Sequence, residues 1–456
     1  MSMGTLGMVA DSVHGVLHGA DREFDAVSTD TRTLSGGELF VALRGPRFDA
    51  ADFIAQAERI GAAGALVERR TECELAQVEV VDTRLALGDL ARFWRTRFAL
   101  PVIGITGSNG KTTVKEMCAA IMRVHCGDDA AVLATRGNLN NDIGLPLMVL
   151  ELRDSHRAAV LEMGASAAGE IDYLARIAAP HIGILTNAGP AHLEGFGSIA
   201  GVARAKGELF DALAEDGVAI VNHDDAYYSA WRERCGDRPV ISFGLHADAD
   251  VRAEAIQVAE DGCMAFLLCT GGDAFPIRLP MPGQHNVRNA LAAAAAGLAA
   301  GAAIASIQAG LSATRNVGGR LLGVTSASGA QLFDDSYNAN PASLEAAIAF
   351  LAAQPGETWL VLGDMGELGP ESEQLHRDCG NVAREAGLSR LLCVGSMARA
   401  AAAAFGPGGR SFDSREKLVA AVGSELKAGI TVLVKGSRSM GMEKVVAGLA
   451  AAGGEH

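Results

Sequence analysis

Residues 102 to 116 read VIGITGSNGKTTVKE: a run of β-branched residues, then Gly107, Ser108, Asn109 and Gly110, then Lys111, Thr112 and Thr113 opening a helical pattern. That succession suits one kind of chemistry. Glycines let backbone N–H groups converge on phosphate oxygens at the positive end of a helix. Lys111 would reach the β and γ phosphates, and the Thr112 hydroxyl would ligate Mg²⁺. Counting back five from Gly110 reaches Ile105 rather than a glycine, so the loop is shorter than the Walker pattern. A nucleoside triphosphate is the expected ligand. GDMGELG at 363–369 also follows a strand pattern, but its glycines do not form G-x-G-x-x-G. A turn or an interdomain contact is expected there instead.

Other residue types suit the same chemistry. Glu162 ends the run AAVLE, beyond a strand's carboxyl end, where open α/β sheets place functional groups and a carboxylate can hold a cation bridging phosphates. His192 follows Gly-Pro on a constrained loop; an isolated His is usually structural. Lys206, in ARAKGELF, sits among small residues; it is either a surface lysine or an amine of depressed pKa able to react. Asn138, Asn140 and Asn141 in TRGNLNNDIGLPL read as a polar loop with capping amides. Asn286 and Asn289 share one face at the start of a helix, where amides can read an adenine edge. Arg320 can neutralise a phosphate during transfer, and Asp335 can accept from ribose hydroxyls. Lys435, Ser437 and Arg438, after the last apolar run, are placed to take a carboxylate.

These residues need elements to position them. Short apolar runs at 102–106, 158–163, 181–186 and 217–221, separated by helical patterns, predict a parallel sheet covered on both faces. A second series at 359–364, 391–395 and 431–436 predicts a smaller α/β unit. Residues 248–280 alternate around Gly-Asp turns and predict antiparallel strands. ELFVAL, GALVE and VEVV before residue 82 predict a small α/β unit at the start. The fold class is α/β in three domains: 1–99; 100–314, a P-loop ATPase-like parallel-sheet domain; and 315–456, Rossmann-like. Short linkers near Leu100 and Arg315 predict hinge motion. The Ala-Gly run 290–305 is short for a membrane span and predicts a packed helix pair broken near Gly301.

Composition narrows the partners. The 456 residues hold 39 Lys and Arg against 54 Asp and Glu, a formal charge of -15, which repels nucleic acid and acidic membranes. The eight cysteines form no C-x-x-C pair, so neither zinc nor a disulfide framework is indicated. MSMGTLGMVADSVHG lacks a basic segment before an apolar block, so a cytoplasmic monomer without membrane insertion is expected.

The short loop, TRGNLNNDIGLPL, TNAGPAHLEGFGS, PGQHNVRNALAAA and DSYNANP resemble the Mur ligase family of peptidoglycan synthesis, the match spanning essentially the whole chain. DSYNANP is most similar to the branch that adds a dipeptide. The resemblance implies ATP-dependent, ADP-forming joining of D-alanyl-D-alanine to UDP-N-acetylmuramoyl-tripeptide through an acyl phosphate. It implies that Gly107 to Thr113, Asn286, Asn289, Arg320 and Asp335 hold the nucleotide. Thr112, Glu162, His192 and a Lys206 carbamylated by carbon dioxide would serve two Mg²⁺ ions, with Lys111 and Arg320 on the phosphoryl oxygens. It implies that Asn138, Asn140 and Asn141 link the nucleotide site to the muramyl peptide, and that Tyr337, Asn338, Asn340, Lys435 and Arg438 face the dipeptide. STDTR and LFVALRGPRFDAADF are similar to the family's uridine-diphosphate domain, which gives Thr29, Asp30, Thr31, Arg32, Arg47 and Asp49. The family has His where this chain has Ala51, so that contact is not carried over. The rivals are a sister ligase adding diaminopimelate or lysine, a folylpolyglutamate synthase, and, in another class, a P-loop binding module. Diaminopimelate adders carry Asp-Asn-Pro-Arg, which is absent here, and the uridine-type motifs argue against folate.

Overall fold

The computed structural model describes residues 2–45, 48–259, 262–315 and 318–452. VIGIT forms the strand Val102–Thr106, buried at every residue, as a run with no polar alternation must be. It lies inside a nine-stranded sheet, between Ala158–Glu162 and Ile182–Leu185, with all three parallel. Neighbouring strands on both sides mean that the loops leaving Thr106, Glu162 and Leu185 open on one crevice, where such sheets bind ligands. Val218–Asn222 and Val240–Gly244 continue the parallel part. The expected antiparallel strands follow as Val251–Val258, Met264–Thr270 and Asp273–Leu279, and they extend this same sheet. The helix Lys111–Cys126 starts directly after the glycine loop and ends on Gly127 in the left-handed conformation. The Ala-rich run forms Gln284–Ala299 and Ile304–Ala313, turning at Gly301.

The last part of the chain folds on a six-stranded sheet, parallel except where Leu322–Thr325 pairs with Gln331–Asp335. The first part has a five-stranded mixed sheet ordered 16–18, 77–79, 64–67, 39–41 and 27–28. Its strand Gln77–Glu79 ends halfway through the VEVV run, and Val81 is 99% exposed. The chain turns outward there so that Asp82 can cap the helix Thr83–Arg95, accepting from the N–H groups of Arg84 at 2.8 Å and Leu85 at 3.0 Å.

The junction near Leu100 is not a hinge. One continuous core joins Leu6, Leu66, Leu87 and Trp94 of the first part to Leu145, Leu161 and Leu174 of the central part. Trp94 donates its indole N–H to the Leu152 carbonyl at 3.1 Å, and Arg95 donates to the Ala178 carbonyl at 2.9 Å. The last part builds separate cores on the two faces of its own sheet. The expectation of mobility therefore narrows to the second junction. Trp94→Ala should lower the stability of the first two parts together by about 3–5 kcal/mol, the cost of emptying a buried aromatic site. A urea melt checks this; two separate transitions for the first and central parts would contradict the shared core.

Candidate functional site

The glycine loop is held from the next strand over. Ser108 N–H donates to the Asn187 carbonyl at 3.0 Å, and Asn109 N–H donates to Asn187 Oδ1 at 3.0 Å. The Asn109 carbonyl accepts from the Thr186 hydroxyl at 2.6 Å and from Asn187 Nδ2 at 3.1 Å. Two glycines are required by space and by backbone. A side chain at Gly107 would meet Thr186 Oγ1 at 1.8 Å, and Gly110, at φ 82°, would meet Asn289 Oδ1 at 2.5 Å. Lys111 curls back over the loop, its Nζ donating to the Gly107 carbonyl at 2.7 Å. Burial lowers its pKa, Glu162 opposes that shift, and Arg320 adds to it.

Glu162 is 2% exposed and is paired on both oxygens: Thr112 Oγ1 donates to Oε2 at 2.8 Å and Asn140 Nδ2 donates to Oε1 at 2.7 Å. A solvated strand-end charge is thereby ruled out. Arg320 arrives from the last part of the chain and donates through Nη2 to Thr112 Oγ1 at 2.8 Å. Its guanidinium lies 4.4 Å over the Tyr337 ring. Its buried Nε has no hydrogen-bond partner among the described residues. A guanidinium bonded to the first turn after the phosphate loop, with one buried N–H left unpaired, is suited to an anionic ligand.

His192 has φ 53°. Its Nδ1 lies against the Glu367 carboxylate at ion-pair distance, without hydrogen-bond alignment. Burial lowers its pKa, and Glu367 works against that shift. Lys206 is 1% exposed, with Nζ 5.6 Å above the Phe196 ring and no carboxylate paired to it among the described residues. Burial, then the charge of Lys111, pushes its pKa well below that of an ordinary lysine, which favours a neutral amine. The surface-lysine alternative is wrong.

The amides divide by role. Asn140 reaches Glu162, whereas Asn141 accepts from Gly144 N–H at 2.8 Å in the turn before the helix Gly144–Val149. Asn138 is not among the cleft walls, and its carbonyl accepts from Asn140 N–H at 2.8 Å. Asn289 Nδ2 donates to Asn286 Oδ1 at 3.1 Å, and Asn286 Nδ2 donates to the Pro282 carbonyl at 2.7 Å. Asn340 Nδ2 donates to Asn109 Oδ1 at 2.8 Å, tying the last part of the chain to the phosphate loop.

Two expectations change. Lys435 ends the strand Ile430–Lys435 rather than following it, is 3% exposed, and donates to Asp335 Oδ2 at 2.6 Å and to the Asn338 carbonyl at 3.0 Å. A buried lysine needs its charge met, so Lys435 is paired with Asp335 rather than free for a substrate carboxylate, while Asp335 keeps Oδ1 to accept from another donor. Arg438 lies 5.7 Å from the Tyr337 ring, outside the cleft walls.

The cleft among the three parts has a volume of about 1130 Å³. It collects Ser108 to Lys111, Thr113, Asn140, Asn141, Glu162, His192, Asn286, Asn289, Arg320, Asp335, Tyr337, Asn338, Asn340 and Lys435. Thr29, Asp30, Thr31, Arg32 and Asp49 are not among its walls. Asp30 is clasped by the Arg32 guanidinium, which holds its carboxyl down at about 2. Asp49 caps the short helix Ala50–Phe53 through Ala51 N–H. Arg47 lies outside the described residues. Sequence reasoning missed Asp82, Arg84, Tyr173 and His285 as walls. His285 was within reach, since it precedes Asn286 in the same motif; burial keeps its imidazole down at about 4, hence neutral at pH 7.

Comparison with known proteins agrees with this geometry. The Mur ligase middle domain matches residues 105–297, the Mur ligase glutamate ligase domain 319–438, and the Mur ligase family catalytic domain 23–95. The UDP-N-acetylmuramoyl-tripeptide–D-alanyl-D-alanine ligase of Escherichia coli K12 is 46% identical over 98% of each chain. Crystal structure I of MurF from Acinetobacter baumannii superposes with a TM-score of 0.93 at 38% identity over 99% of each chain. The MurF ligase from Thermotoga maritima in complex with ADP gives 0.83 at 28% identity, covering 93% of this chain and 97% of that one.

Arg320→Met, which keeps bulk over Tyr337 and removes the donors, should cut kcat for ATP-dependent phosphate release by about 10²–10³, the usual cost of losing a transition-state donor. KM for ATP should change little. Steady-state kinetics check this; a raised KM with kcat intact would assign Arg320 to ground-state binding.

Proposed function

The chain belongs to the Mur ligase family, and from that premise we propose that it joins D-alanyl-D-alanine to UDP-N-acetylmuramoyl-tripeptide with ATP, forming ADP and phosphate, in peptidoglycan precursor synthesis. The observation that carries the reading is full-length identity of 46% to a ligase of that name, on a chain whose phosphate loop is met by Arg320 through Thr112. The sister-ligase, folate and binding-module readings have no comparable support.

The reaction has two steps, both governed by charge. The tripeptide carboxylate attacks the γ phosphorus of ATP, releasing ADP and leaving an acyl phosphate; the dipeptide amine then attacks the acyl carbon and expels phosphate. Negative charge gathers on the transferring phosphoryl group, so positioning and neutralisation carry the catalysis. The loop N–H groups and Lys111 cradle the phosphates, and Arg320 supplies donors on the facing side. Asn286 and Asn289 lie toward the base. Exclusion of water by the closed last part of the chain protects the acyl phosphate.

The donor set fits Mg²⁺. Among the described residues no group of three or more His, Cys, Asp or Glu side chains could cage an ion, and Mg²⁺ is held by one or two carboxylates completed by substrate phosphates and water. Thr112 and Glu162 would hold one ion, and His192 with a carbamylated Lys206 a second; the metal supplies neutralisation of phosphoryl oxygens. A buried Lys206 amine whose pKa is held down can add carbon dioxide and release a proton, which would place an anion beside the phosphate site. The uridine-diphosphate moiety is assigned to the first part of the chain, through Thr29 to Arg32, Arg47 and Asp49, and the dipeptide to the surface near Tyr337, Asn338 and Arg438. Cytoplasmic action as a monomer is proposed, in keeping with cysteines that form no C-x-x-C pair.

Phosphate release measured with ATP, Mg²⁺ and UDP-muramoyl-tripeptide should require D-alanyl-D-alanine and be negligible with single amino acids. Release that ignores the amine acceptor would support a nucleotide-driven binding module instead. Lys206→Ala should abolish ligation and regain part of it with added short-chain carboxylates. Undiminished ligation in that variant would remove the carbamate.

A further inference from the structure

The segment Gly363–Gly369 carries a side chain to His192. Glu367 has φ 60° and contacts His192, itself at φ 53°. Residues with a side chain hold that backbone only where surrounding contacts over-determine it. The Asp364 carboxylate accepts from the N–H groups of Ser396, Met397 and Ala398 at 2.7 to 3.0 Å, and its carbonyl accepts from the Ser437 hydroxyl at 2.7 Å. Met365 N–H donates to His376 Nε2 at 2.9 Å, which leaves His376 Nδ1 to donate to the Ser372 carbonyl at 2.7 Å. Met365 and Leu368 are buried at 2% and 3%. The segment is thus pinned on both sides of Glu367, whose own side chain is 61% exposed. Packing of that side chain does not account for the backbone. The anchored segment instead aims its carboxylate at the imidazole of His192, a wall of the cleft.

A carboxylate on one imidazole nitrogen fixes the hydrogen there and leaves the other nitrogen's lone pair free, the arrangement that orients metal-binding histidines. We propose that Glu367 is a positioning residue: as the last part of the chain closes, its carboxylate accepts a hydrogen bond from Nδ1–H of His192 and leaves the Nε2 lone pair free for a cation. The proposal rests on the assignment of His192 to a cation made above. The present contact is close but not aligned as a hydrogen bond, and a small rotation of either side chain completes it. Phe196 backs the same ring at 6.5 Å between centroids, edge to face. The consequence is an ordered assembly in which the second ion is held well only in the closed cleft.

Mn²⁺ titrations followed by electron paramagnetic resonance, with ADP present, test this on the full chain. Wild type should bind two ions and His192→Ala one. Glu367→Ala should weaken the second by about 10–100-fold, the usual effect of losing an outer partner, with KM for D-alanyl-D-alanine and the melting temperature unchanged. Glu367→Gln, whose amide oxygen still accepts the Nδ1 hydrogen, should keep most of the affinity. Wild-type Mn²⁺ binding in Glu367→Ala overturns the proposal, as does a raised dipeptide KM with both ions intact, which would place the carboxylate on the amine. A single ion in wild type overturns the cation assignment as well. Two ions without ligation in wild type overturn only the functional reading.

Discussion

A carboxylate taken out of water must be met by donors, and Glu162 is met by two that come from different places in the chain. The Thr112 hydroxyl belongs to the first turn after the phosphate loop, and the Asn140 amide to the segment leading to the helix Gly144–Val149. Burying a charge is costly unless it is paired and hydrogen-bonded, so this carboxylate fixes the separation between loop, strand end and Asn140 segment. Strand order makes that possible: Ala158–Glu162 is the direct neighbour of Val102–Thr106. The same Thr112 hydroxyl receives Arg320, so the pair at the centre also locates the group that arrives from the far part of the chain.

The two junctions of the chain differ in physical kind, and function follows the difference. Apolar packing through Trp94, Leu145 and Leu174 joins the first and central parts into one body. Across the cleft, the last part meets that body through polar contacts: Arg320 on Thr112, Asn340 on Asn109 and Glu367 on His192. Such contacts exchange readily with water and with ligand groups. That suits a reaction in which two substrates enter, an unstable acyl phosphate must be kept dry, and products leave.

Local pattern carried much of this. The buried strands, the glycine loop and the paired amides of PGQHNVRN were legible because each depends on residues within a few positions. Glu162 was legible as a strand end, but its burial and its two partners were not, because they come from Thr112 and Asn140. Lys435 was misplaced for the same reason: sequence shows a basic residue near a strand end, while Asp335, 100 positions away, decides that its charge is already met. Of three neighbouring asparagines, the sequence could not say that Asn140 reaches inward while Asn141 holds the turn before a helix. Glu367 lay in a motif read as a turn or an interdomain contact, and only the placement of His192 opposite gave it a target.

The central claim is that the tripeptide carboxylate attacks the γ phosphorus in this cleft, forming an acyl phosphate before the amine attacks. Running the reaction with the terminal carboxylate of UDP-muramoyl-tripeptide labelled with ¹⁸O, and following the released phosphate by ³¹P resonance, tests it directly. An acyl phosphate leaves the bridging oxygen on phosphate, so each released phosphate should carry one ¹⁸O. Unlabelled phosphate alongside amide product would contradict the account.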